Sequence, residues 1–294
     1  MAQSSTRTRK LFPWGYLAPL LLLEAGFVFT PLLLAAVVSF QDYDYFRPGG
    51  WVGGDNYAWA LSNPEFLKSV GVTAIFTVFA TGLTFFVGFG LAMLFERDNR
   101  HNVLMRTTVL IPYFISMLVG SLLLRWVFSE DAGLATLAFR ALQITPFSIL
   151  AEPRSAMVAL VANAIWRDSA FAMILLLAGL KSIPPNLLHA ARVDGASYFY
   201  AFRRIVLPLM RVPILITLVR LTLFYMNVLT FPLILTGGGP GGATETIVLW
   251  MYRRGFEDYA IGKANAVALL ILLVNVLLVV SLMFLFRQRK AATA

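Results

Sequence analysis

Six long apolar segments are the feature of this sequence that most restricts its fold. They cover residues 16–40, 69–95, 107–128, 156–180, 212–235 and 264–286. A helix needs about 20 apolar residues to cross a bilayer, and each segment is at least that long. Only 13% of the residues are charged, compared with about 25% in soluble domains. The sequence therefore predicts an all-α integral membrane protein with six transmembrane helices, organised as one domain over residues 1–294.

The basic residues lie mainly in one of two alternating sets of loops. The two termini, loop 96–106 and loop 181–211 together hold 14 Lys and Arg residues, whereas loops 41–68, 129–155 and 236–263 hold 7. Because cytoplasmic loops of membrane proteins carry the excess of Lys and Arg, both termini are predicted to be cytoplasmic. The net charge of +9 is then a consequence of topology, and no nucleic-acid partner is predicted.

The composition excludes several kinds of catalytic site. The chain has no cysteine and two histidines, so it offers no thiol nucleophile and few ligands for zinc or an iron–sulfur cluster. Both histidines, His101 and His189, fall in predicted cytoplasmic loops. A lipid-modifying membrane enzyme would need an assembled nucleophile or metal site. We therefore predict no catalytic residue and no metal ligand on this chain.

The loop at 181–211 has the pattern of two short helices joined by a tight turn. The proline pair 184–185 suits the first turn of a helix, where a missing N–H costs nothing. Gly195 then stops this helix, since glycine can adopt a positive φ. Ser197 is the predicted N-cap of a second helix, which should end before Pro208. Both helices carry apolar residues, and an apolar face on a cytoplasmic loop predicts a partner surface.

This loop resembles the signature of the inner-membrane permeases of binding-protein-dependent ABC importers, which reads E-A-A-x-x-D-G-A and then F-x-x-I-x-L-P. The corresponding residues are His189, Ala190, Ala191, Asp194, Gly195, Ala196, Phe202, Ile205, Leu207 and Pro208. The resemblance implies the type I ABC importer permease fold, with this loop coupled to an ATPase. His189 stands where the family has a glutamate that resembles an ionic tether to the ATPase.

A second motif is similar to the maltose-type sugar permeases. Their L-T-x-G-G-P-x-x-x-T-x-T pattern corresponds to LTGGGPGGATET at 235–246, and the whole resemblance covers about residues 16–286. It implies a second homologous permease, two ATP-binding subunits or a homodimer of them, and an extracytoplasmic sugar-binding protein in a bacterial or archaeal cell membrane. This chain has no G-x-x-x-x-G-K-[ST] motif to hold phosphates. ATP and magnesium are therefore expected on the partner, and no cofactor on this chain.

The resemblance favours import of a di- or oligosaccharide, with two alternatives. Glycerol-phosphate and polyol importers resemble the same branch of the family. A secondary transporter would also have six or more spans, but it has no ATPase partner, so it would not need the helical signature of loop 181–211.

Polar and aromatic side chains of the fourth and fifth segments are the predicted contacts of the sugar, because such sites combine ring faces with hydrogen-bonding groups. They are Asn163, Trp166, Arg167, Tyr225, Asn227 and Thr230. Asn227 matches an asparagine in the sugar-holding stretch of the maltose-type permease. For the aromatic residues, packing or anchoring at the membrane interface is the alternative role.

Five charged residues fall inside the apolar segments. Arg125 lies within one turn of the end of its segment, so its side chain can reach the membrane surface, whereas each of the other four must have a partner. Glu24 and Arg220 lie at equal predicted depth, about 12 Å from the cytoplasmic ends of their segments, which makes them a predicted ion pair. Arg167 and Asp168 are adjacent, so their side chains should point about 100° apart. They are predicted to face a subunit interface or a wet pathway.

Overall fold

The computed structural model describes residues 14–131, 133–143 and 147–291. The basic residues predicted to hold the N-terminus in the cytoplasm, Arg7, Arg9 and Lys10, lie outside the described residues.

Helices account for most of the described chain. They are α1 (Trp14–Glu24), α2 (Thr30–Val38), α3 (Asp55–Ser62), α4 (Pro64–Leu94), α5 (Arg100–Phe114), α6 (Met117–Val127), α7 (Leu134–Ala141), α8 (Pro153–Lys181), α9 (Pro185–Val193), α10 (Tyr198–Ala201), α11 (Leu207–Leu209), α12 (Arg211–Asn227), α13 (Ile247–Tyr252) and α14 (Ile261–Ala291). The π-helical turns are Ala25–Phe29, Phe202–Val206, Pro232–Thr236 and Arg253–Glu257. The strands are β1 (Gln41–Asp44) and β2 (Arg47–Trp51).

Four helices among the described residues are long and apolar enough to cross a membrane, and two bent pairs raise that number to as many as six. The four are Leu17–Val38, Pro64–Leu94, Pro153–Lys181 and Ile261–Leu282. The bent pairs are α5 with α6, at 94°, and the α10–α11 segment with α12, at 66°. Each of the six predicted segments overlaps one of these helices or pairs. The prediction of a mainly helical membrane protein is confirmed.

The third and fifth segments are broken, although the sequence pattern predicted continuous helices. In the third, Ile115 and Ser116 adopt extended backbone angles between α5 and α6. In the fifth, α12 ends at Asn227 and Val228 is extended. Pro232 explains the second break, because its ring clashes with the carbonyl four residues earlier, which is that of Val228.

Proline marks the start of several helices. Pro64 and Pro153 each occupy the first turn of a long helix, α4 and α8. The N-cap of α4 is Asn63, whose side chain accepts the backbone N–H groups of Glu65 at 2.8 Å and Phe66 at 3.2 Å. These local signals fix where the two longest buried helices begin.

The larger of two compact units comprises the described parts of Ser62–Arg253 and Asn275–Ala294. Its core lies between α4, α8 and α12. The two long helices α4 and α8 approach closely at Gly88, where an added Cβ would lie 2.5 Å from the Cβ of Ala172. Only glycine permits this approach, so the packing of α4 against α8 requires a glycine at position 88.

The smaller unit comprises the described part of Met1–Leu61 together with Arg254–Val274. Its antiparallel hairpin, β1 with β2, was not part of the all-α prediction, and such short strands give little alternation to detect. The hairpin and α2 are held by Asn56, whose side-chain amide donates to the carbonyls of Ser39 and Gln41, both at 2.9 Å.

Candidate coupling loop and membrane pathway

The first helix of the loop, α9, begins and ends as the sequence predicts. Pro185 is in its first turn, and Gly195 follows it with φ of +77°. The N–H of Gly195 donates to the carbonyl of Arg192 at 3.1 Å, and the N–H of Ala196 donates to that of Ala191 at 2.9 Å. These two bonds form a Schellman motif, which requires a left-handed residue at Gly195.

The second helix also starts as predicted but ends later. The Ser197 hydroxyl accepts the N–H of Tyr200 at 3.3 Å, as an N-cap does. The predicted end before Pro208 is wrong, because the chain passes through the π-helical turn Phe202–Val206 and stays helical to Leu209. Such a turn changes the hydrogen-bond pattern just before the proline and so lets the helix continue past it.

The loop presents an apolar surface that the described part of the chain does not cover. Val193 is 88% exposed, and Tyr198, Phe199 and Tyr200 are exposed beside it. Among the signature residues, those exposed are His189, Ala190, Asp194, Gly195 and Pro208. Those partly or fully buried are Ala191, Ala196, Phe202, Ile205 and Leu207. The buried ones pack the loop against its own unit, which leaves the others for an external partner.

A cavity of about 360 Å³ separates this loop from the ends of α4 and α8. Its wall includes Asp98, which accepts Arg106 Nη1 at 2.8 Å and also pairs with Lys181. Hydrogen bonds from Lys181 and from Arg106 hold the pKa of the Asp98 carboxyl below its usual value. Arg106 Nε further donates to the carbonyl of Phe95 at 2.8 Å. One carboxylate thus ties the segment after α4 to the end of α8.

The predicted pathway residue Asn227 forms a reciprocal amide pair with Asn275 of α14. Asn227 Nδ2 donates to Asn275 Oδ1 at 3.1 Å, and Asn275 Nδ2 donates to Asn227 Oδ1 at 3.0 Å. Asn227 is exposed at the break of the fifth segment, and Asn275 is half-buried. The sequence prediction missed Asn275, although an amide in the middle of the apolar sixth segment was a usable signal.

Two other predicted sugar contacts lie in the core instead. Tyr225 is fully buried, with its hydroxyl 3.0 Å from Thr84 Oγ1 and donating to Asp168 Oδ2 at 3.1 Å. Asn163 is 1% exposed and donates to Ser121 Oγ at 3.0 Å. Each fills a hydrogen-bonding position between helices of this chain, so neither can touch a solute in this structure.

The remaining two uncharged residues of the predicted site, Trp166 and Thr230, are partly accessible. Thr230 is half-buried, just beyond the helix break. Trp166 is 37% exposed, and its ring would lie 3.3 Å from a Cβ added at Gly120. The six predicted residues therefore do not form one continuous surface.

The adjacent residues Arg167 and Asp168 do contact each other, contrary to the prediction. Arg167 Nη1 donates to Asp168 Oδ1 at 2.7 Å, since the long arginine side chain can bend back to its neighbour. The guanidinium also lies 4.9 Å from the ring centre of Tyr113. Asp168 is completely buried within its own unit, so the prediction that it faces an interface or a wet pathway is wrong.

Arg220 has aromatic partners within the same unit. Its guanidinium lies 4.0 Å from the ring centre of Phe171 and 4.8 Å from that of Phe224. Its Nη1 atom is buried and makes no hydrogen bond among the described residues. Glu24 is exposed and belongs to the smaller unit, and its pairing with Arg220 stays a prediction.

Comparison with known proteins identifies the family. Residues 84–290 match the family described as "Binding-protein-dependent transport system inner membrane component". The trehalose/maltose transport system permease protein MalF of Thermococcus litoralis is 32% identical over 265 residues, which are 89% of this chain and 90% of MalF. The sn-glycerol-3-phosphate transport system permease protein UgpA of Agrobacterium fabrum is 32% identical over 299 residues, covering 98% of each chain.

A solved structure shares the fold. One chain of a bacterial alginate ABC transporter, in complex with an alginate pentasaccharide-bound periplasmic protein, has a TM-score of 0.84 to this chain. The match covers 95% of both chains at 21% sequence identity.

The fold and the helical loop define a multi-pass membrane permease. The chain belongs to the family of inner-membrane components of binding-protein-dependent transport systems. It is the non-catalytic membrane subunit of an ABC importer, and ATP is hydrolysed on a separate subunit. The prediction of this family is confirmed, and the alternative of a secondary transporter is wrong.

Proposed function

We propose that this chain and a second homologous permease form the membrane pathway for a carbohydrate, a di- or oligosaccharide. An extracytoplasmic sugar-binding protein delivers the solute, and two ATP-binding subunits drive its import. The observation that carries this proposal is the Asn227–Asn275 pair, exposed on one side at a helix break. Amides both donate and accept hydrogen bonds, as sugar hydroxyls do.

The position of this pair supports a role in the pathway. Polar side chains in membrane segments rarely face lipid, because an unsatisfied donor there is costly. The two amides satisfy each other, and Asn227 also donates to the carbonyl of Leu223 at 2.7 Å. A solute hydroxyl could replace the bonds between the amides without leaving a buried polar group unpaired.

The relatives support the carbohydrate class. MalF of Thermococcus litoralis is a trehalose/maltose permease protein, and the alginate transporter imports an acidic polysaccharide. Carbohydrates are thus handled by proteins that share this fold along almost the whole chain.

An anionic solute such as a glycerol phosphate, or a related polyol, is the second candidate. UgpA, which belongs to a glycerol-3-phosphate system, is 32% identical over 98% of this chain. The membrane core of the larger unit holds two guanidinium groups, Arg167 and Arg220, and the single carboxylate of Asp168. This excess positive charge would favour an anion.

The test is uptake into proteoliposomes by the complete transporter, with a panel of di- and oligosaccharides, polyols and glycerol-3-phosphate. Replacing Asn227 or Asn275 by leucine should lower uptake of the true solute about tenfold or more, because about two hydrogen bonds of 0.5–1.5 kcal/mol each are lost. Asn265→Leu is the matched control, since Asn265 lies in α14 as well but donates to the carbonyl of Ile261 in its own helix. Unchanged uptake by both variants would remove the pair from the pathway.

For the loop at 181–211 we propose contact with an ATP-binding subunit. The exposed signature residues and the uncovered aromatic side chains of α10 supply the contact surface. With the loop on the cytoplasmic side, both termini are cytoplasmic as well. His189 then lies at the edge of the contact, in place of the family's glutamate.

A further inference from the structure

The hairpin of the smaller unit has an unusual turn. Its two-residue loop, Tyr45-Phe46, connects β1 to β2, and both residues have positive φ angles, 49° and 60°. Two-residue turns with two positive φ values favour Asn-Gly or Asp-Gly, because side chains with a bulky Cβ substituent are strained there. The sequence instead places two aromatic residues at the positions least suited to them.

A third strained aromatic residue completes the cluster. Tyr259 has φ of 57°, and its ring centre lies 5.7 Å from that of Tyr45 and 5.5 Å from that of Phe46. The N–H of Tyr45 donates to the Tyr259 carbonyl at 3.1 Å. Of the four non-glycine residues with positive φ among the described residues, three thus lie in this aromatic cluster.

Burial does not offset this strain. Tyr45 is 70% exposed and Phe46 is 68% exposed. Strained backbone persists where the surrounding structure enforces it, and it concentrates at sites of binding or catalysis. Two fixed, exposed rings on a strained turn therefore point to a contact outside this chain.

The charges around the rings favour a protein over the lipid surface. Asp44 and Arg47 are paired across the hairpin on either side of the turn, and Asp42 is exposed on the same strand as Asp44. Segments that bind lipid headgroups carry clusters of Lys and Arg, whereas the hairpin carries two carboxylates and one arginine. Tyrosine, phenylalanine and arginine are instead enriched at protein interfaces, and a rigid turn lowers the entropy cost of binding.

We propose that the aromatic cluster Tyr45, Phe46 and Tyr259 is a docking contact for the binding protein that delivers the solute. The cluster lies in loops 41–68 and 236–263, both predicted to be extracytoplasmic, and the family works with such a protein. This inference rests on the proposed topology but not on the identity of the solute. The matching patch is apolar, with basic residues facing Asp42 and Asp44.

The experiment uses the complete transporter in nanodiscs and its binding protein, purified with the solute that it retains. The double variant Tyr45→Asn/Phe46→Gly removes both rings and installs the turn sequence that this backbone prefers. The complex should assemble with unchanged basal ATPase activity and equal or higher thermal stability. The binding-protein concentration that gives half-maximal ATPase stimulation should rise at least about tenfold, a loss typical of central interface aromatics.

The matched control is Leu142→Asn/Gln143→Gly in loop 129–155, predicted to be on the same side. Leu142 is 68% exposed and Gln143 has φ of 56°, so the control also removes an exposed apolar side chain beside a strained residue. This control variant should leave unchanged the binding-protein concentration that gives half-maximal ATPase stimulation. An unchanged value in the Tyr45/Phe46 variant would overturn the proposal, and lower basal activity that depends on the lipid would assign the rings to the membrane interface instead. Normal uptake by the Asn227→Leu variant would remove the amide pair from the pathway, but it would leave the docking proposal and its test unaffected.

Discussion

Among single residues, Asp168 stands at the centre of a buried polar network in the larger unit. Its carboxylate is completely buried, accepts Arg167 and Tyr225, and through Tyr225 reaches Thr84 of α4. Three helices, α4, α8 and α12, are therefore joined by one polar network. In an apolar interior such a network is stable only while all of its members are paired.

We expect Asp168→Asn to destabilise the complex more than Tyr225→Phe. The first change leaves the Arg167 charge without its carboxylate, at a cost of about 3–5 kcal/mol for a broken buried pair. The second removes hydrogen bonds to a buried group and costs about 1–3 kcal/mol. Thermal unfolding of the purified complex measures both, with Ser281→Ala as control, since Ser281 is exposed and donates only to its own helix at Leu277. Equal stability of Asp168→Asn and the wild type would contradict this ranking.

The proposed coupling loop, residues 181–211, shows what one residue contributes to a whole element. Gly195→Val puts a β-branched side chain into a left-handed position, at a cost of about 1–3 kcal/mol. An added Cβ meets no atom within 4 Å there, so the effect comes from backbone strain and not from a clash. The two hydrogen bonds that close α9 should be lost. ATPase activity should then become uncoupled from the loaded binding protein, or the ATPase should dissociate.

Gly53→Val is the control for this strain, since Gly53 has φ of +58° and also has no atom near an added Cβ. It should leave coupling intact. His189→Glu should be tolerated. His189→Ala should impair coupling less than Gly195→Val, because a side chain at the edge of the proposed ATPase contact contributes less to coupling than the backbone turn at Gly195 does. ATP hydrolysis stimulated by the loaded binding protein, and solute uptake, both at the wild-type level in Gly195→Val would rule out this loop as the coupling element.

The connection between α4 and α8 should depend on pH through Asp98. Its folded-state pKa is lowered by Lys181 and Arg106, so the stabilisation is present above the unfolded value and is lost as the pH falls through the folded value. This places the loss below about pH 4, since an unperturbed Asp has a pKa of about 3.9. Asp98 is largely exposed, so high salt should weaken the effect. Asp98→Asn should flatten the dependence of melting temperature on pH in this window, and an identical slope would refute this role.

At the scale of elements, the sequence predicts what depends on local signals and misses what depends on packing. The six apolar segments, the end of α9 at Gly195 and the N-cap at Ser197 all follow from composition or turn chemistry. Pro232 is a sequence signal for the break at Val228, but the continuous apolar segment around it still predicted an unbroken helix. The Asn275 partner and the burial of Tyr225 are decided by contacts between distant segments, which periodicity does not report.

For the whole molecule, both proposed contact surfaces require the orientation in the membrane that the distribution of basic residues predicts. The coupling loop must lie on the side of the ATPase, and the aromatic hairpin on the side of the binding protein. The positive-inside rule assigns them to opposite sides from 14 and 7 basic residues. A reversal of orientation would contradict both proposals at once, so orientation is the property to measure first.

Single cysteines can report this topology, because the chain contains none. Ser62, Glu152 and Ala190 are exposed and therefore suit this labelling. In intact cells or spheroplasts, Ser62→Cys and Glu152→Cys should react with a membrane-impermeant maleimide. Ala190→Cys should react only after the membrane is permeabilised, and it should be protected when the ATPase is bound, since Ala190 is among the exposed signature residues. Labelling of Ala190→Cys from outside would place the loop away from any ATPase and would overturn the assignment of both surfaces.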